Sequence, residues 1–245
     1  ITSDDGKILI DAGIAVSRPR IEEALTALGT QPIVRLINTH WHLDHTSGNE
    51  WVHGEGAVIL AHVDTLKHLS SDHRVPDWDY NFPAAPAGAL PTELMNAERH
   101  VKSGDETLFL KHYDPAHTDC DISVYFQEAD ILHTGDTFWN GVYPFIDYST
   151  GGSLDGMIKA AEANVKTATN KTIIIPGHGP LGTKKDLVAY RDMLVAIHGN
   201  VVKLKKKGHS VDEVVAAKPT AKFDAKWGKF VIDPVFFTQL VYEGA

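Results

Sequence analysis

Short apolar runs alternate with polar turns along the whole chain and predict a mixture of strands and helices. Two apolar segments flank Asp4-Asp5-Gly6 at the start, which is a strong hairpin signal. Runs rich in branched residues predict further strands at 33–38, 57–61, 95–101, 107–113, 122–126, 130–133 and 172–176. Helical spacing predicts helices at 20–28, 63–70 and 152–168, and from Lys184 onward with a break at Gly208.

The same pattern predicts one mixed α+β domain spanning residues 1–245, because no linker or repeat divides it. Residues 72–92 are rich in Pro, Ala and Asp and predict a long loop or flap. Ser210, followed three residues later by Glu213, predicts a capping box at a helix start.

Composition excludes several classes of protein. Hydrophobic residues make up 43% of the 245 residues and charged residues 22%, which is typical of a folded globular chain. The aliphatic runs are far too short to cross a bilayer. The net charge of −9 disfavours nucleic-acid and anionic membrane partners, so we expect a small-molecule substrate. Cys120 is the only cysteine, which excludes an intrachain disulfide and a multi-cysteine zinc site.

The chain has 14 histidines, and the segment His40-Trp41-His42-Leu43-Asp44-His45 places four potential metal ligands within six residues. It directly follows a predicted buried strand, where α/β proteins tend to place their sites. Residues two apart in an extended segment point the same way, so His40 and His42 can converge on one ion. Asp44 and His45 would face a second ion if the chain turns there.

Three more candidate ligands lie in Gly- or Pro-rich turns beside predicted strands: His117, Asp136 and His178. Three imidazoles, from His40, His42 and His117, suit one ion and leave an open position, as catalytic zinc sites do. The second ion then takes Asp44, His45 and His178, with Asp136 between the two ions. Nitrogen and oxygen ligands favour zinc, with iron and manganese as alternatives.

Other residues near these motifs have two interpretations each. Asp11 closes a strand and is either an acceptor for a ligand histidine or a cap of the next turn. Trp139, Tyr143 and Phe145 are either core residues or walls of the site.

The motif His-x-His-x-Asp-His is followed along the chain by a single His, an Asp and a His, each at a strand end. This order resembles the metallo-β-lactamase superfamily. The likeness runs from Leu9-Ile10-Asp11-Ala12-Gly13 to Pro176-Gly177-His178-Gly179, and residues 132–145 resemble a bacterial branch of metallo-hydrolases. The resemblance implies a four-layer αββα sandwich with a two-metal site. It also implies further strands before residue 1, so we expect a shortened start, and it favours a bacterial periplasmic or secreted origin.

The resemblance further implies a hydrolase in which two divalent ions about 3.5–4 Å apart share a bridging hydroxide. Asp44 would orient this nucleophile and pass a proton to the leaving group. We expect a cyclic amide or ester, of the β-lactam or lactone type, as substrate.

Alternatives to this substrate stay open at the sequence level. They are a thioesterase of the glyoxalase II type, a phosphodiesterase, and, outside hydrolases, a di-iron redox or metal-binding protein. Asp136 stands where true β-lactamases have Cys or Ser, which makes the chain more like the thioesterases, lactonases and phosphodiesterases. The sequence leaves the oligomeric state undetermined.

Overall fold

Strands and helices are interspersed along the chain, and the predicted α+β class is confirmed. A computed structural model describes all 245 residues. Contacts divide the chain into two units, the first comprising residues 1–112 and 120–129 and the second residues 113–119 and 130–245. Since one segment of each unit is inserted into the other in sequence, a cut at one point would not separate them. The single-domain interpretation stays a prediction.

The first unit contains most of the strands. Its strands are β1 Thr2–Ser3, β2 Gly6–Ile10, β3 Ile33–Ile37, β4 Val58–His62, β5 His73–Val75, β6 Tyr80–Phe82, β7 Glu93–Met95, β8 Glu98–Ser103, β9 Glu106–His112 and β10 Ile122–Phe126. Its helices are α1 Arg18–Ala27, α2 Leu43–Thr46, α3 Asn49–Gly54 and α4 Val63–Leu69.

A mixed sheet of order β1-β2-β3-β4-β7 positions the motifs of this unit. Strands β1 and β2 form the predicted hairpin, whereas β2, β3, β4 and β7 pair in parallel. The carboxyl ends of parallel strands meet at one edge, so Asp11 after β2 comes close to the segment that follows β3. Buried side chains such as Leu36, Val52 and Ile59 pack the sheet against its helices.

Two predictions about this unit need correction. Residues 72–92 contain an antiparallel hairpin of β5 and β6 rather than only a loop. Each strand has only three residues, too few for the period-two pattern to stand out among prolines and aspartates. The predicted strand 95–101 is two strands, because Met95 ends β7, which pairs with β4, and Glu98 begins β8, which pairs antiparallel with β9.

The second unit is mainly helical. Its elements are β11 Ile131–His133, α5 Leu154–Thr167, β12 Ile173–Ile175, α6 Lys184–Lys205, α7 Val211–Ala216, α8 Asp224–Trp227 and α9 Pro234–Glu243. Strands β11 and β12 pair in parallel.

The predicted capping box is confirmed at α7, where the backbone N–H of Ser210 holds the pKa of Glu213 below its ordinary value. No helix in the chain combines the length and apolarity that crossing a membrane requires.

Candidate metal centre

Four of the seven predicted ligands lie in the first unit, directly after β3. The chain leaves the strand at Ile37 and begins the one-turn helix α2 at Leu43. The extended stretch before this helix carries His40 and His42, and the helical turn carries Asp44 and His45. A turn after two alternating positions is the geometry that the sequence predicts for this cluster.

The ligand atoms of this set face one another. Nε2 of His40 lies 3.1 Å from Nδ1 of His42, and Nε2 of His45 lies 3.4 Å from Oδ2 of Asp44. The ring centroids of His40 and His45 are 4.2 Å apart. His40 is fully buried, whereas Asp44 keeps 37% of its side chain exposed. The first unit therefore gathers three imidazoles and one solvent-accessible carboxylate.

Asp11 orients two of these imidazoles. Its Oδ1 accepts a hydrogen bond from the Thr39 backbone N–H at 2.7 Å, and its Oδ2 accepts from the Thr39 hydroxyl and from Nδ1 of His45, each at 2.8 Å. Because the hydroxyl proton of Thr39 points to Asp11, its oxygen accepts from Nδ1 of His40 at 3.1 Å. Both histidines thus carry their proton on Nδ1 and direct the lone pair of Nε2 into the cluster.

The second unit holds the other three predicted ligands. Asp136 lies in a 3-10 turn, Gly135–Thr137, after β11, and His178 follows β12. Because β11 and β12 are parallel neighbours, these two residues meet at the same edge. Oδ2 of Asp136 lies 3.2 Å from Nε2 of His178 and 3.4 Å from Nε2 of His117. The same carboxylate oxygen of Asp136 therefore faces the imidazole rings of both His117 and His178.

The ring of His117 is also fixed by a hydrogen bond. Its Nδ1 donates to the backbone carbonyl of Phe145 at 2.8 Å, which leaves the lone pair on Nε2 facing Asp136. His117 is fully buried and Asp136 is 2% exposed. The sequence gives no signal for this carbonyl partner, because any residue type can supply it.

Gly177 makes room for the Asp136 carboxylate. A Cβ atom at position 177 would overlap Oδ1 of Asp136, so the Pro-Gly-His turn needs glycine at this point. Trp139 packs on His178 with 4.1 Å between ring centroids, and Phe145 lies 6.1 Å from His117. Tyr143 instead stacks on Phe237 and donates to Asp224, so it belongs to the core.

The chemistry of the donor atoms fits divalent metal ions. In each unit, lone pairs of imidazole nitrogens face another nitrogen or a carboxylate oxygen at 3.1 to 3.4 Å. Two ligands that each bind one zinc ion at about 2.0–2.1 Å would lie about 3.3 Å apart in a tetrahedral site. The donor set is nitrogen and oxygen without sulfur, which suits zinc, manganese or iron.

Comparisons with known proteins agree with this assignment. The sequence model of the metallo-beta-lactamase superfamily matches residues 1–185. The probable metallo-hydrolase YqgX of Bacillus subtilis is 23% identical over 207 residues, covering 81% of this chain and 90% of that protein. A hydroxyacylglutathione hydrolase of Polaromonas sp. is 29% identical over 153 residues, covering 60% of this chain and 48% of that protein.

Among solved structures, the sec-alkylsulfatase Pisa1 of Pseudomonas sp. aligns with a TM-score of 0.74 at 17% identity, covering 99% of this chain and 46% of that chain. The chain thus spans about half the length of this sulfatase and of the hydroxyacylglutathione hydrolase. The expected αββα metallo-β-lactamase fold is confirmed by the family match and the structural likeness.

Proposed function

This chain belongs to the metallo-beta-lactamase superfamily and is a metal-dependent hydrolase, and we propose that it holds two ions and opens a cyclic amide or ester. The observation that carries the two-ion proposal is the position of Asp136. Its Oδ2 lies within 3.4 Å of Nε2 of both His117 and His178, and because we assign these two histidines to different ions, this oxygen is placed to be shared between the ions.

The seven ligands divide between the two ions as their chemistry suggests. We assign His40, His42 and His117 to one ion and Asp44, His45 and His178 to the other, with Asp136 between the ions. The Nδ1 hydrogen bonds of His40, His45 and His117 leave the lone pair of each Nε2 available, which supports the use of these three histidines as ligands. Zinc is the ion that the donor set favours, with iron or manganese as alternatives.

The bound ions supply a water made acidic enough to ionise near neutral pH and a positive charge that polarises the scissile bond. Asp44 is the residue that transfers the proton from the attacking water to the leaving group. Its carboxylate lies beside Nε2 of His45, and its side chain is 37% exposed. Asp44 would take up, at a carboxylate oxygen, the proton that the attacking water loses, and would give it to the leaving nitrogen or oxygen as the ring opens. The hydrogen bond from His45 to Asp11 fixes the His45 ring and so keeps it beside Asp44.

A small uncharged or cationic substrate suits the net charge of −9 better than a nucleic acid does. A ring-opened product keeps its leaving group attached, so no separate leaving-group site is needed. Thioester hydrolysis is the second candidate, because the Polaromonas relative is a hydroxyacylglutathione hydrolase.

The test combines metal content with a substrate panel. The chain is loaded with zinc, iron or manganese, and bound metal is measured by mass spectrometry. The panel comprises a chromogenic cephalosporin, a lactone, an acyl-glutathione and a nitrophenyl phosphodiester. We expect two ions per chain and fastest turnover of a cyclic substrate, whereas preference for the acyl-glutathione would favour the second candidate.

Variants connect the activity to the proposed ligands. His42→Ala and Asp136→Ala should each lower bound metal and activity together, by about a hundredfold or more in turnover. His100→Ala is the control, because His100 lies exposed on β8 and belongs to neither ligand set. Full activity at unchanged metal content in either ligand variant would contradict the proposal.

A further inference from the structure

A turn near the carboxyl end of the chain brings an aromatic side chain onto one of the ligand histidines. The turn joins α8 to α9 and lies beyond residue 185, where the family match ends. The ring of Phe230 lies 6.1 Å from that of His178 and 6.3 Å from that of Trp139, between centroids. This contact therefore comes from a part of the chain that the family match does not include.

The ends of this turn are fixed while its tip is open. Trp227 is 3% exposed, and its carbonyl accepts a hydrogen bond from the backbone N–H of Tyr143 at 2.8 Å. Ile232 is fully buried, and the Asp233 carboxylate caps α9 through the N–H of Phe236. Between these anchors, Phe230 keeps 48% of its surface exposed.

A half-exposed phenyl ring beside a ligand histidine has a chemical consequence. It leaves apolar surface in water beside His178, and covering that surface is favourable. Trp139 is buried and packs on the same histidine, so the three rings form one aromatic cluster with an open side. A further aromatic ring can pack on such a cluster edge-to-face or offset-stacked. This packing adds favourable free energy beyond that of the apolar area it buries.

We propose that Phe230 is a specificity-determining residue that packs against an aromatic group of the substrate beside its scissile bond. This inference rests on the proposed function, because it places the substrate's reacting bond near His178. It narrows the substrate class to ring esters or amides that carry an aryl substituent. Phe230 touches the non-reacting part of the substrate and takes no part in proton transfer.

The experiment uses two lactones of the same ring size, one with a phenyl and one with a methyl substituent, and the zinc-loaded full chain. Phe230→Ala should lower kcat/KM for the phenyl lactone about tenfold, mainly through KM. The same variant should change kcat/KM for the methyl lactone by less than about twofold. Phe230→Tyr, which keeps the ring, should retain wild-type preference.

Two controls separate the inference from the proposed function and from misfolding. Val195→Ala removes an apolar side chain of similar exposure, 47%, from α6 and should leave both lactones unaffected. Binding of phenylacetate and acetate, measured by calorimetry, gives a readout without turnover. Phe230→Ala should weaken phenylacetate binding about tenfold and leave acetate binding unchanged.

The outcomes are distinct. If the wild type hydrolyses neither lactone while phenylacetate binding still depends on Phe230, the proposed function fails and the aromatic subsite stands. If Phe230→Ala, with unchanged melting temperature, affects both lactones and both carboxylates equally or not at all, Phe230 does not determine specificity.

Discussion

Asp11 and His45, 34 residues apart in sequence, are joined by a hydrogen bond of 2.8 Å between a carboxylate oxygen and Nδ1. Asp11 adopts a left-handed backbone conformation with a φ of 56°. Such a conformation costs free energy in a residue other than glycine, although aspartate and asparagine tolerate it best. The conformation turns the carboxylate back toward Thr39 and His45, and the three hydrogen bonds that the carboxylate accepts there offset its cost and fix the orientation of a predicted ligand.

Asp11→Asn should weaken metal binding about 10- to 100-fold without disturbing the backbone. Three donors reach the two oxygens of Asp11, whereas an asparagine offers one oxygen and directs an NH2 group at the remaining donors. Metal affinity is measured by competition with a chromophoric chelator. Asp79→Asn is the matched control, since Asp79 has a φ of 48° but a side chain that is 91% exposed. Equal metal affinities of the two variants would show that Asp11 does not contribute to metal binding.

Gly177→Ala and Gly199→Ala should have opposite effects. A methyl group at position 177 would overlap the Asp136 carboxylate, so we expect loss of bound metal and a lower melting temperature. Position 199 lies inside α6 with open space around it, and alanine there should stabilise the chain by about 0.5–1 kcal/mol. Metal analysis and urea unfolding of both variants provide the test. Wild-type metal content in Gly177→Ala would show that Asp136 can move without consequence.

The ligand motifs could be predicted from sequence because their spacing and strand ends are local features. His40 and His42 alternate in an extended segment, and Asp136 and His178 each follow a short apolar run. Parallel pairing of the strands then brings distant turns to one edge. The sequence does not distinguish the two roles of Asp11, because only the folded chain shows that its carboxylate reaches His45.

Other parts of the site could not be predicted from the residue pattern. The Phe145 carbonyl that orients His117 is a backbone group, so no residue type marks it. Phe230 reaches His178 from a turn more than 50 residues later, in a segment where the pattern predicts only helices. The β5–β6 hairpin gives no periodic signal because its strands have only three residues each.

Thr65→Val should stabilise the first unit by about 1 kcal/mol. Thr65 is fully buried in α4, and its hydroxyl has no hydrogen-bond partner, so replacing it with a methyl group of the same shape removes a desolvation cost. Thr107→Val is the contrasting variant, because the Thr107 hydroxyl donates to Glu128 at 3.0 Å, and we expect a loss of about 1 kcal/mol. Both are measured by urea unfolding at pH 7. A destabilised Thr65→Val would mean that a bound water satisfies this hydroxyl.

Glu128→Gln should remove part of the acid sensitivity of the chain. Hydrogen bonds to the carboxylate, the most important from the backbone N–H of Thr107 at 2.6 Å, lower the pKa of Glu128 from 4.5 to about 2. A carboxyl group whose pKa is lower in the folded state stabilises that state above its unfolded pKa, and this contribution disappears as the pH falls through the folded pKa. The stability advantage of the wild type over Glu128→Gln should therefore be constant above pH 4.5 and shrink toward pH 2. Unfolding both proteins side by side at each pH cancels the titration of the histidines, and a difference that stays the same down to pH 2 would contradict the assignment.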